Sequence, residues 1–290
     1  VLYAGPPFPV VLLTLTLTFA LGAVAKPKKV VMIAGRQSHG PLSHEHKAGI
    51  MLLAKCLQEN AGDLVAPTVV LNGWPKDNNV FRDVAAVVIY SDGGGRHPAL
   101  GGNNLEMLGR MMEEGVGFLT IHYAVEPTTN KGNKEFIAWQ GGCFETHWSV
   151  NPHWVANFKK LPKHPITRGV KPFKANDEWY FHMRFAPGMK GVTPILSDVA
   201  PKETMRRGNG AHSGNEHVRK SVAAGDLQHV AWAFERPNGG RGFGFTGGHN
   251  HLNWGNDDFR KTVLNAIVWV SKAEVPANGV PSKVSEQDLY

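Results

Sequence analysis

The chain has 290 residues, with 31 Lys+Arg against 24 Asp+Glu for a formal net charge of +7, and 42% hydrophobic and 19% charged residues. That balance, together with 8 Trp and 14 Phe, excludes a disordered tail or linker. Two Cys exclude a disulfide scaffold, and 33 Gly in short clusters indicate many tight loops and not a collagen-like repeat.

Val1 to Ala25 contain no charged residue; Pro6, Pro7 and Pro9 precede the apolar run Val10 to Leu21, and Ala23-Val24-Ala25 gives a small-x-small site before Lys26. This reads as a secretory signal peptide over residues 1–25, although no Lys or Arg precedes the apolar run. A membrane anchor is the competing reading, but it needs about 20 apolar residues, and this run is shorter and holds Thr. The expected location is therefore secreted or periplasmic, with no membrane span after cleavage. The Lys and Arg are scattered, so the positive charge reads as solvated surface and not as a nucleic-acid footprint. Cys56 and Cys143 either pair in an oxidising compartment or remain buried thiols.

From Lys26 the elements alternate. Lys29 to Gly35 is a β-branched apolar run read as a buried parallel strand. A loop from Arg36 to Leu42 follows, Ser43 is the expected N-cap, and Ile50, Leu53 and Leu57 recur at helical spacing until Gly62. Pro67 to Leu71 and Ala85 to Tyr90 are further strands. Asn104 caps a helix carrying Leu105, Leu108, Met111 and Met112, and Val116 to Ile121 is a fourth strand. Alternation of this kind predicts an α/β, doubly wound, mostly parallel sheet. Beyond it, Trp154 to Phe158 and Glu178 to Phe181 read as short strands, and Val199 to Asp226 as a long surface loop. His229 to Phe234 and Gly242 to Thr246, separated by Pro237-Asn238-Gly239-Gly240, give an added β-hairpin. Asp257 to Lys272 is the last helix. Residues 26–275 read as a single domain and 276–290 as a polar tail.

In an open parallel sheet, ligands lie beyond the carboxyl ends of the strands. The polar residues expected there are His39 with Ser38, Asp92, His122 with Tyr123, and His249 and His251 with Trp254. The chain has 14 His, and three of these strand ends carry one. His39, His122 and His249 as a set suit a divalent transition metal, Zn or similar, with an open coordination position; taken singly, each is more readily a satisfied polar residue or a substrate hydrogen bonder. His97, His164, His212, His217 and His229 show no convergent pattern. In Asp177-Glu178-Trp179-Tyr180, Glu178 beside apolar rings is a candidate acid or base, its pKa raised by burial. A second polar-aromatic cluster contains His147 and Trp148. Trp148, Trp154, Trp179 and Trp254 could offer flat apolar surfaces to a sugar.

These segments occur in a recognisable order: Leu119-Thr120-Ile121-His122-Tyr123-Ala124, Gly141-Gly142-Cys143-Phe144-Glu145-Thr146-His147, His164-Pro165-Ile166-Thr167-Arg168-Gly169, Asp177-Glu178-Trp179-Tyr180, and Gly244-Phe245-Thr246-Gly247-Gly248-His249 leading to Trp254. Over roughly Lys29 to Lys272 the chain resembles the trehalose-utilisation (ThuA-like) family. The resemblance implies a flavodoxin-like fold of the class I glutamine amidotransferase type. His122 then stands where those enzymes carry their nucleophilic Cys, and His249 matches their base. A Cys-dependent glutaminase is not expected, since Cys143 lies about twenty residues beyond that turn. The resemblance further implies a small-molecule sugar substrate, a disaccharide or 3-keto-sugar, handled by metal- or His/carboxylate-assisted proton transfer or hydrolysis. The expected catalytic set is His122, His249 and Glu178. The substrate would meet Asp92, Tyr123, His147, Trp148, Trp179, Tyr180, His251 and Trp254. The alternative is a non-catalytic carbohydrate-binding protein that has lost the nucleophile.

Overall fold

A computed structural model describes residues 1–5 and 26–290; most of the expected signal peptide lies outside the described residues. In chain order the elements are β1 (Lys28–Ala34), α1 (His46–Ala61), β2 (Val65–Val70), β3 (Val84–Tyr90), α2 (Asn104–Glu113), β4 (Gly117–Ile121), α3 (Asn133–Gln140), β5 (Gly142–Cys143), β6 (Trp154–Phe158), β7 (Phe173–Asp177), β8 (Arg184–Phe185), β9 (Val192–Val199), α4 (Glu216–Ala224), β10 (Leu227–Glu235), β11 (Arg241–Phe245) and α5 (Asp257–Val270).

Seven strands form the central sheet in the order β2-β1-β3-β4-β11-β10-β9. The pairings from β2 across to β11 are parallel, and β10 and β9 extend that edge antiparallel. The inner parallel strands β1, β3, β4 and β11 are buried on both faces, and alternation divides their side chains between two layers. Val30, Met32, Val88 and Leu119 join α1 and α5 on one face; Val31, Ile33, Val87 and Phe118 join α2 and α3 on the other. The expected doubly wound sheet with its added hairpin is present. Among the described residues, no helix is long and apolar enough to cross a membrane.

Several local expectations change. Ser43 does not cap α1: it bridges to Asn250, and the chain turns through positive φ at Leu42 (65°) and His44 (51°) before the helix starts at His46. No strand forms over Glu178–Phe181, where only Phe181 bridges to Val150. Instead β7 ends at Asp177, whose carboxylate accepts from the backbone N–H of Gly248 and Asn250 and from Asn253 Nδ2, fastening that end to the loop after β11. The stretch 199–226 is not an open loop. It holds α4, capped by Asn215 at its start and by Gly225 in the left-handed region (φ 75°) at its end. β9 and α3 are additional elements, their apolar periodicity too short or interrupted to stand out. The polar tail packs down: Val280 is fully buried, and Asp288 meets Lys55 of α1 at 2.6 Å.

His97 supplies a measurable pH dependence. It is buried, its Nε2–H donates to the Ala124 carbonyl at 3.0 Å, and its Nδ1 accepts from the Ala99 N–H at 3.0 Å. Burial pushes its pKa down to about 4 from an ordinary 6.5, so the fold holds it neutral. The unfolded chain therefore takes up the proton first. The stabilisation is complete above pH 6.5 and is lost as pH falls towards 4, by about 3 kcal/mol in total. Urea denaturation at stepped pH is expected to show a shallower acid loss in His97→Gln than in the wild type; parallel curves would contradict this.

Candidate functional site

Four side chains converge beyond the carboxyl ends of β1, β4, β7 and β11. His122 directly follows β4 at φ 55°, a conformation that costs an L-residue roughly 1–2 kcal/mol and so needs holding. It is held: the ring is fully buried, and Nδ1–H donates to the Thr246 carbonyl at 2.9 Å. His44 is turned inward by the two positive-φ residues, and its Nδ1–H donates to Asp92 at 3.0 Å. Asp92 follows β3 and also accepts from Ser38 Oγ at 2.7 Å. Burial opposes the charge on Asp92, but the hydrogen bonds from His44 and Ser38 outweigh it and hold the carboxyl at about 2. His249 sits on the loop after β11, its backbone carbonyl accepting from His44 N–H. Gly248 just before it takes φ 111°, and its carbonyl accepts from the Tyr90 hydroxyl. Glu178 leaves the end of β7, with Oε1 held by Asn151 Nδ2 at 3.0 Å.

With both Nδ1 protons committed, His44 and His122 turn their Nε2 atoms into the centre, 3.1 Å apart. Burial opposes a charge on His122, but Glu178 beside it outweighs that and raises the imidazole. His44 Nε2 is 3.1 Å from His249 Nδ1. Glu178 Oε2 is 3.0 Å from His249 Nδ1 and 3.5 Å from His122 Nε2. All four atoms lie within 4.8 Å of one another. Two facing lone pairs repel unless a positive charge lies between them. A tetrahedral zinc site with ligands near 2.1 Å has edges of about 3.4 Å, close to the four distances found. An imidazole whose other nitrogen donates to a carboxylate or carbonyl is the usual outer arrangement of a metal ligand. The residues present could therefore hold a divalent metal.

Electrostatics favour a cation as well. Burial pushes His44 down to about 3, despite Asp92, so it offers a neutral ring. Glu178 departs from the expected raised acid. Burial would raise it, but the contacts from His122 and His249 outweigh that and hold it well below the usual carboxylate range. Glu178 thus favours its charged form, facing three imidazoles.

His44 and Glu178 of the cluster open onto a cleft of about 620 Å³, with walls that include Asp92, Gly93, Tyr123, Asn151, Tyr180 and His212. Gly93 is required there, since a Cβ would sit 2.2 Å from the Tyr123 carbonyl oxygen. Of the residues singled out in the sequence, His122, His249 and Glu178 meet directly, Asp92 supports them, and Tyr123 and Tyr180 line the cleft. His39 does not complete the set with His122 and His249. It lies exposed at the rim, its ring 3.7 Å from His44 and 5.8 Å from His249, grouped with His44 and Asp92 instead. The turn at Leu42–His44 aims the later histidine inward and leaves the earlier one outside.

The remaining sequence candidates do not line the cleft. His147 is exposed and binds Ala211 only through its backbone. Trp148 packs beneath Arg184 and between His182 and His217. Trp179 and Trp254 are fully buried among Phe245 and Phe259. His251 is buried behind the cluster, with neither ring nitrogen hydrogen-bonded. The sequence reading missed His44, Asn151, Glu126 and His212. For His44 a signal existed: His39, His44 and His46 crowd the segment after the first strand. Both Cys are free and buried, and burial raises each thiol above its ordinary range, leaving neither as an activated nucleophile.

An α/β sheet with a histidine-lined cleft at its carboxyl edge describes the class of protein. The chain belongs to the ThuA, trehalose utilisation, family, whose model matches residues 30–270. Two solved structures share the fold. A ThuA-like protein from Bacteroides uniformis aligns with a TM-score of 0.56 at 16% identity, covering 87% of this chain and 95% of its own. A ThuA-like protein from Parabacteroides merdae aligns at 0.54 and 18% identity, covering 90% and 94%. A weaker likeness, TM-score 0.39 at 12% identity, is to PurLQS from Thermotoga maritima. No protein of curated function matches the sequence.

Proposed function

We propose that this protein is an exported carbohydrate-processing enzyme that acts on a disaccharide or its 3-keto form through a divalent metal held by His44, His122, His249 and Glu178. The observation that carries the reading is the pair of Nε2 atoms of His44 and His122, held 3.1 Å apart by their Nδ1 bonds to Asp92 and Thr246. A bound divalent ion would supply Lewis-acid polarisation of a substrate oxygen. Tyr123, Tyr180 and Asn151 would orient the sugar from the walls. The family's description, trehalose utilisation, supports the sugar class, and the Val1–Ala25 segment supports export. The binding-only alternative drew on tryptophan platforms, and Trp148, Trp179 and Trp254 lie away from the cleft.

Purified protein, mature from Lys26, is expected to cleave 3-keto-trehalose when supplied with Zn²⁺ or a similar ion. It should lose that activity on chelation and regain it on metal return. Turnover unaffected by chelation would sink the metal reading; binding of the sugar without turnover, with or without metal, would favour the binding protein.

A further inference from the structure

A divalent metal held by the four clustered groups would occupy the lone pairs they turn inward. His44 and His122 commit their Nδ1 protons to Asp92 and Thr246, so neither ring would then have a proton to pass to a leaving oxygen. Across the cleft stands a pair that this cluster does not use. His212 Nε2 lies 2.9 and 3.0 Å from the two oxygens of Glu126, whose side chain is 3% exposed. Glu126 ends the short turn that begins at His122. The His212 ring is fixed on two further sides: Phe144 stacks on it at 5.2 Å and 23°, and Tyr123 meets it edge-on at 6.4 Å. The Tyr123 ring stands between the two histidine groups, 6.1 Å from that of His44.

The segment that carries His212 is itself braced. Arg207 Nη2 donates to the His212 carbonyl and to Asn151 Oδ1, Asn151 N–H donates to the same carbonyl, and Arg219 holds the carbonyls of Met205 and Arg207. Asn151 in turn holds Glu178. One hydrogen-bonded chain therefore sets the position of His212 relative to the cluster. With Nε2–H given to Glu126, Nδ1 is the nitrogen left for the cleft. A buried carboxylate behind an imidazole is the arrangement that fixes a catalytic histidine's tautomer and stabilises its protonated form.

We infer that His212 is the general acid of the proposed reaction, with Glu126 as its positioning residue; this rests on the sugar-cleaving reading above. The Nδ1–H proton passes to the glycosidic oxygen as the C–O bond breaks and its electron pair moves onto that oxygen. The sugar leaves as a free alcohol and His212 is left neutral. The proton given up by the attacking water, or by the carbon beside the ketone, goes to solvent, and solvent reprotonates the ring, so nothing else is consumed. Glu126 raises His212 above the ordinary imidazole range, against the cost of burial. The charged or titratable groups facing the ring are Glu126 and Tyr123 on the turn after β4, Glu178 across the cleft and Arg207 on its own segment.

The test compares two leaving groups on metal-loaded enzyme: 3-keto-trehalose, whose departing sugar needs a proton, and 4-nitrophenyl 3-keto-glucoside, whose nitrophenolate does not. His212→Gln is expected to lower kcat on the disaccharide by about 10²–10⁴-fold and on the nitrophenyl substrate by less than about tenfold. Metal content should stay unchanged, and the alkaline fall in kcat/KM should disappear. Glu126→Gln should move that fall to lower pH. Equal losses on both substrates, or undiminished disaccharide turnover, would overturn the assignment alone. A wild-type enzyme that cleaves neither substrate would overturn the functional reading and this assignment with it.

Discussion

His44→Ala is expected to lower turnover below detection and weaken metal binding by more than about 100-fold, the upper end of what losing an outer partner costs a metal site. His44 is the hub of the cluster. Its Nε2 contacts both His122 and His249 at 3.1 Å, and its Nδ1 is tied to Asp92. Removing it breaks two of the four close ligand–ligand distances and frees Asp92. Asp92→Asn keeps the shape but weakens the acceptor that fixes the His44 tautomer, so the expected loss of affinity is smaller, about 10–100-fold. Titration with a metal-binding dye, run beside the turnover assay, reads both. An Asp92→Asn protein as impaired as His44→Ala would mean that the carboxylate acts directly and not through the ring.

Trp179→Ala is expected to cost about 3–5 kcal/mol of stability while leaving KM of the folded enzyme unchanged. The side chain is fully buried, packed on Phe158, Phe245 and Phe259 at ring distances of 5.2, 5.6 and 5.7 Å, with Nε1–H donating to the Ala175 carbonyl at 3.0 Å. It also lies so close to Gly247 that a Cβ there would come within 2.5 Å of the ring. Trp179 therefore supports the loop bearing His249 from beneath. Urea denaturation measures the loss. A variant of wild-type stability with weakened sugar binding would instead place Trp179 at the substrate.

The contrast between Trp179 and Glu178 shows where the sequence is informative. Adjacent in the chain, they go opposite ways, one into the core and one into the cleft, as residues leaving a strand end do. Sequence located the segment but could not choose the direction, because β7 ends one residue before Glu178, and only the long-range bonds from Asp177 to Gly248 and Asn250 fix that end. The inner parallel strands were legible because both faces are buried and their runs are largely apolar. His122 and His249 were legible because they stand at the ends of two such strands. His44 was not, because its inward direction depends on positive φ at Leu42 and at His44 itself, which neither residue type announces. Glu126 and His212 meet across 86 residues and belong to no local pattern.

The proposed metal site draws its four side chains from four separate strand ends. Its most direct test is the metal content of purified wild-type protein, His122→Ala and His39→Ala, measured together by elemental analysis. About one equivalent of a divalent transition metal is expected in the wild type and in His39→Ala, and none in His122→Ala. Metal that persists in His122→Ala, or that disappears with His39, would contradict it.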